Sequence, residues 1–182
     1  MTTSLKHQFD LQKFSNGYEL VDGDAMHAAH GSSFQVPPGV LKRHVGVGHY
    51  IEVRIDSPRF SVHEDDAADC SCPSCQGVMS KPVLSHNHPA SLVAIPPPKV
   101  PSRGWGEDFW VQITERENQF LKGVVDNSLV EARLHDVDRG DEIIVQEKHV
   151  LAVHHSHRAE LVSGMNTVEL KALALWLSSR KD

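Results

Sequence analysis

Three cysteines fall within six residues, in Asp69-Cys70-Ser71-Cys72-Pro73-Ser74-Cys75-Gln76-Gly77, and the chain holds no others. A C-P-x-C-x-G turn aims two thiolates at one point, and the glycine after it lets the backbone reverse. Cys70 adds a third sulfur close by. His86 and His88 follow after ten and twelve intervening residues, a separation found between the halves of Cys/His zinc sites. Either imidazole completes a tetrahedral Cys₃His set. His63, upstream of Glu64-Asp65-Asp66, is a weaker fourth ligand. The spacing predicts one structural Zn²⁺, because three thiolates and an imidazole leave no position for water. Unpaired cysteines elsewhere behave as small buried hydrophobes, which three in a polar, acidic loop do not resemble. A redox or copper-thiolate role is a lesser alternative.

The rival chemistry is a zinc-dependent hydrolase or deaminase at the same loop. Deaminases couple cysteine pairs to an H-x-E element, whereas here Glu64 directly follows His63. No G-x-S-x-G, H-E-x-x-H, Walker loop or G-x-G-x-x-G is present. These absences turn the expectation away from an enzyme.

The chain is rich in histidine, with thirteen among 182 residues. His154-His155-Ser156-His157 is the densest group. On a strand His155 and His157 share a face, and on a helix His154 and His157 do, with Glu160 near. Its first reading is a solvated segment between the sheet and the last helix. His27 and His30 share one side of a short helix without a third ligand. His149 reads as a turn or strand-entry residue. Gly104-Trp105-Gly106 offers an aromatic face for stacking, although such a Trp more often plugs the end of a small barrel, and Trp176 reads as packing.

The elements that position these groups are uneven. The first ~36 residues carry weak patterning, with one short helix from Asp24 to His30 closed by Gly31. Ile51, Val53 and Ile55 alternate with Tyr50, Glu52 and Arg54, which predicts a half-buried strand. After Ile95-Pro96-Pro97-Pro98-Lys99-Val100-Pro101, a stiff extended run, the alternation sharpens. Strands are predicted around Phe109, Val111 and Ile113, over Gln119 to Val125, over Glu142 to Val145 and over Val150 to Val153. Asn166 and Glu169 form a capping box. Leu170, Leu173, Ala174 and Leu177 follow as the apolar stripe of a last helix, expected to cover an edge or end of the sheet. The expected fold is therefore α+β and β-rich, a small antiparallel barrel or rolled sheet with a zinc-binding loop and a C-terminal capping helix. Three regions are expected: 1–95 with the metal loop at 57–89, a connector at 96–104, and the barrel-like part with its helix at 105–182.

Charge narrows the partners. Lys plus Arg number 18 and Asp plus Glu 24, a net charge of −6, and residues 1–91 and 92–182 each carry −3. No basic tail exists to neutralise phosphates, so nucleic acid is disfavoured, and Lys42-Arg43-His44 is a local basic run. No apolar run approaches the ~20 residues of a membrane helix, and the first residues lack an apolar signal core. An odd number of clustered thiols argues against a secreted disulfide framework. The expected location is the cytoplasm.

Residues 107–153 resemble a group of small bacterial domains of unknown function. The likeness rests on Glu107 and Asp108 before Phe109-Trp110-Val111, then Gly123, Asp126-Asn127, Gly140-Asp141 and His149-Val150. It covers about a quarter of the chain and implies a β-rich fold and a bacterial source, without supplying an activity. The sequence as a whole points to a non-catalytic, zinc-stabilised binding or accessory module. Its expected partner is a protein, in the manner of a regulator, immunity or antitoxin factor. Elemental analysis of protein purified without chelators is expected to find about one zinc per chain, and Cys72→Ser to strip it. Protein free of transition metal would exclude the Cys/His site.

Overall fold

The computed structural model describes residues 3–57, 101 and 105–180. The alternating segments become strands. β1 (Glu19–Leu20) leads to β2 (Tyr50–Ser57), β3 (Trp105–Glu117), β4 (Phe120–Val125), β5 (Glu142–Gln146) and the short β6 (Ala152–Val153). All pairings are antiparallel, in the order β1-β2-β3-β4-β5, and β6 pairs with β2. The sheet curls into a half-barrel, so the expected rolled sheet is observed.

β2 and β3 pair from Tyr50↔Gln112 to Ser57↔Trp105 without a register shift. The two stretches on either side of the proline-rich run therefore share one sheet. Most of that run, with the whole cysteine segment, lies outside the described residues. Alternation places Ile51, Val53, Ile55, Phe109, Val111 and Ile113 on the inner face, each at most 1% exposed. They pack with Leu121, Ile143 and Val145 into the main core.

The register slips between Ile113 and Glu115, leaving Thr114 as the extra residue of a bulge. Gly123 lies opposite. A Cβ there would stand 2.5 Å from both the Gln112 carbonyl oxygen and Val111 Cγ1, so only glycine lets β4 approach β3 this closely.

The helices hold smaller clusters against the sheet. The first residues, weakly patterned as sequence, form α1 (Leu5–Leu11), with Ser4 as N-cap. α1 buries Leu5 and leans Phe9 on Phe120 and Ile144. α2 (Gly23–His30) is capped by Asp22 and ends at Gly31, whose φ is +58°, as expected. α3 (Gly39–Lys42) places Lys42, 1% exposed, with its ammonium 2.7 Å from Asp24. From β3, Arg116 bonds the Lys42 and Val45 carbonyls and the Glu147 carboxylate. That guanidinium ties the turn after α3 to the sheet. α4 (Ala132–His135) and α5 (Arg158–Ser163) are short helices of four and six residues.

The last helix, α6 (Thr167–Ser179), begins with the expected capping box of Asn166 and Glu169. Its burial differs from the predicted stripe. Leu173 is buried and Trp176 half-buried against Val40, Leu41 and Met165, whereas Leu170 and Leu177 are 39% and 56% exposed. The helix docks on α3 rather than flat on the sheet, so one residue per turn meets a partner. No helix among the described residues is long and apolar enough to cross a membrane.

Gly123→Ala is expected to destabilise the fold by about 1–3 kcal/mol through backbone displacement at the bulge. Denaturant midpoints measure this, and an unchanged midpoint would mean that the two strands part freely.

Candidate functional site

The chemistry-bearing side chains gather at three places. The first lies where the turn before β2 meets the start of α5. Gly46 N–H donates to His49 Nδ1 at 3.0 Å, which fixes the ring and turns Nε2 toward Glu160 Oε1, 3.5 Å away. His157 stands 4.9 Å from His49 between ring centres, and stacks on Tyr50 at 5.8 Å and 15°. Burial first, then the neighbouring His49, pushes the His157 pKa below its ordinary value of 6.5 and favours the neutral imidazole. One ligand atom from each of His49, His157 and Glu160 lies within 4.8 Å of the others, a group that could hold a metal ion.

Beside it, Tyr50, Trp110, Asp126, His154 and Ser156 line a depression of about 320 Å³. His154 meets the Trp110 ring edge-on at 5.3 Å, and its Nδ1 lies 2.8 Å from Ser156 Oγ. The histidine-rich segment is thus divided. His157 joins Glu160, and His154 turns toward the outer face of the sheet.

The second place is buried. His135, fully buried, accepts the Val137 N–H at Nδ1 (3.2 Å) and donates from Nε2 to Glu107 at 2.7 Å. Glu107 also accepts the Val130 and Glu131 N–H groups at 2.9 and 3.0 Å. Burial works to raise the Glu107 pKa. The bonds from His135, Glu131 and Val130 outweigh it and hold the carboxyl below its ordinary value of 4.5. Tyr18 packs edge-on against His135 at 5.2 Å. Burial, then the charges of Glu131, Glu107 and Asp56, pushes its hydroxyl pKa up.

The polar residues of the 107–153 pattern serve the same end. Asn127 accepts the Trp110 N–H at 2.7 Å. Asp141 accepts the Asp138 N–H at 2.8 Å. His149, buried against Phe9, accepts the Gln146 N–H at 3.0 Å. These side chains close turns over backbone donors that the strands leave unpaired.

The third place is an apolar groove of about 390 Å³ between α6, the Pro37-Pro38 corner and β6. Leu41, Leu173, Trp176 and Leu177 form much of its wall, and Arg158 and Arg180 are its charged lining residues. Arg180 lies over the Trp176 ring at 4.3 Å.

The sequence-predicted ligands Cys70, Cys72, Cys75, His86 and His88, with His63, lie outside the described residues. His27 sets Nδ1 2.7 Å from the Phe34 carbonyl oxygen, and no metal-ligating group among the described residues includes His27 or His30. The Lys42-Arg43-His44 run offers little basic surface, since Lys42 is buried on Asp24 and His44 lies 3.0 Å from Glu169. Sequence reasoning missed His49 as a potential ligand. Its signal was slight, a histidine between Gly48 and Tyr50 at a strand start, far in sequence from its partners. Comparison with known proteins matches no family model, no curated protein and no solved structure.

The Glu107 arrangement fixes a pH dependence. A carboxyl whose folded pKa is depressed stabilises the fold above the unfolded value, and that stability disappears as pH falls through the folded pKa. Wild-type stability should therefore fall as acid is added below about pH 4.5, and Glu107→Gln should flatten this limb while costing on the order of 2–3 kcal/mol at neutral pH. Equilibrium unfolding of both proteins across pH 2–7 is the measurement, and parallel curves would remove Glu107 from that role.

Proposed function

We propose that this chain is a non-catalytic binding module that docks a protein segment in the groove beside α6. The observation that carries this reading is the groove itself, an apolar trough whose described lining includes two arginines and no carboxylate. Continuous exposed apolar surface is the usual mark of an interaction site. Here Leu177, on the groove wall, stands 56% exposed. Arg158 and Arg180 on the wall favour a partner with acidic residues beside its apolar anchors, because complementary charge sets register and speeds encounter. The fitting ligand is an amphipathic segment that places aliphatic or aromatic side chains against Trp176 and Leu173.

Two further observations agree with a non-catalytic role. The pattern residues Glu107, Asn127, Asp141 and His149 each accept backbone N–H groups, and His135 has both ring nitrogens in structural bonds. The proposal includes one structural Zn²⁺ on Cys70, Cys72, Cys75 and His86 or His88, a bacterial source in line with the resemblance of residues 107–153, and a cytoplasmic setting in line with the clustered thiols.

A synthetic amphipathic peptide with Leu and Trp anchors and Glu flanks supplies the test. Titrated into ¹⁵N-labelled protein, it should shift the amides of Ala152, Val162, Leu173 and Trp176. Leu177→Glu should weaken binding at least about tenfold, and added salt should weaken it as well. Shifts confined to other surfaces, or equal affinity for the Leu177→Glu protein, would remove the groove as the docking site.

A further inference from the structure

We propose that His49, His157 and Glu160 form a binding site for a borderline divalent cation of the Zn²⁺ type. None of these three residues belongs to the cysteine segment. The donor set is two imidazoles and one carboxylate, the combination that suits zinc and its transition-metal neighbours rather than Mg²⁺ or Ca²⁺. A tetrahedral ion with bonds of about 2.0–2.1 Å holds its ligand atoms roughly 3.4 Å apart. His49 Nε2 and Glu160 Oε1 already stand at 3.5 Å, and all three ligand atoms lie within 4.8 Å.

A second observation is independent of that spacing. His157 Nε2 is buried and has no hydrogen-bond partner. A buried polar atom in that state is costly, and coordination within the triad relieves it if Nε2 is the ligating atom. His157 and Glu160 come from the opening of α5, three residues apart, and so face the same side. The Tyr50 ring stacked on His157 holds its plane. Glu160 is 70% exposed at its side chain, which leaves the open side of the site to solvent.

The Gly46 N–H occupies Nδ1, so in the metal-free protein Nε2 carries the ring proton and points it at Glu160. A cation at Nε2 needs that lone pair. The proton leaves Nε2, solvent returns one to Nδ1, and the ring stays neutral. The Gly46 N–H then turns to water, a lost bond worth roughly fivefold in affinity. An exposed site that also loses this bond is expected to bind with a micromolar midpoint. Three protein ligands leave the fourth position for water, unlike a saturated Cys₃His set.

The experiment uses the full chain as purified, free of any affinity tag. Zn²⁺ is added while the imidazole signals are followed in long-range ¹H–¹⁵N spectra, and heats are recorded in parallel. The expected result is saturable movement of the His49 and His157 rings with a micromolar midpoint, while His27 and His30 stay still. Glu160→Gln, at an exposed position that preserves the fold, should weaken this binding at least about tenfold, and His157→Gln should abolish the ring shifts of His49. Rings of His49 and His157 that do not move at millimolar Zn²⁺ would overturn the proposal. So would unchanged affinity in the Glu160→Gln protein, or shifts confined to His154 and His155.

Discussion

Everything in this molecule hangs on the pairing of β2 with β3. Eight consecutive residue pairs join strands separated by 48 positions at Ser57↔Trp105 and 62 at Tyr50↔Gln112. Closing so long a loop has an entropic cost that local contacts cannot repay. The return comes from the inner face, where Ile51 sits opposite Val111 and Val53 opposite Phe109, all at most 1% exposed. β4 and β5 then add to β3 by short local turns. The other edge of β2 is shared, with β1 at its far end and β6 at its near end. The chain segments that carry His49 and His157 are brought together because both leave this one strand edge.

Backbone satisfaction explains where most polar side chains went. A curled sheet with tight turns leaves donors that no ladder reaches. Glu107, Asn127, Asp138, Asp141, His135 and His149 each answer one or more of them. Such residues look like a catalytic constellation when read as a string of Glu, Asp and His. In three dimensions their lone pairs are already committed. His157 is different, since its Nε2 has no described hydrogen-bond partner.

Local patterns were legible and non-local ones were not. Period-2 alternation located β2 and β3, whose inner face is buried, whereas turns bounded β4 and β5, and β5 buries Ile143 and Val145 in the main core and Ile144 against α1. The Asn166 cap was legible because its signal lies within four residues. α1 escaped notice because it buries only Leu5 fully, and its anchor, Phe9 on Phe120, joins residues 111 positions apart. The α6 stripe misled because helical period predicts a face but not how much partner that face will meet. At the site, His157 and Glu160 were visible as a spaced pair. His49 was not, since only the β2–β6 pairing brings it near. Lys42 was read as part of a basic run and is instead a buried cation, a reversal that rests on Asp24, 18 positions upstream in the chain.

The Ser57↔Trp105 pair has a consequence for how this family of shapes can vary. The segment between them begins and ends at neighbouring points of the sheet, separated by one strand spacing of about 4.8 Å. Whatever its length, it closes on the same base, and doubling a loop adds only about 0.6 kcal/mol of closure cost. Residues can be gained, lost or replaced there without moving a strand out of register. The half-barrel can therefore stay constant over evolutionary time while the stretch that holds all three cysteines drifts, is exchanged or acquires a new task.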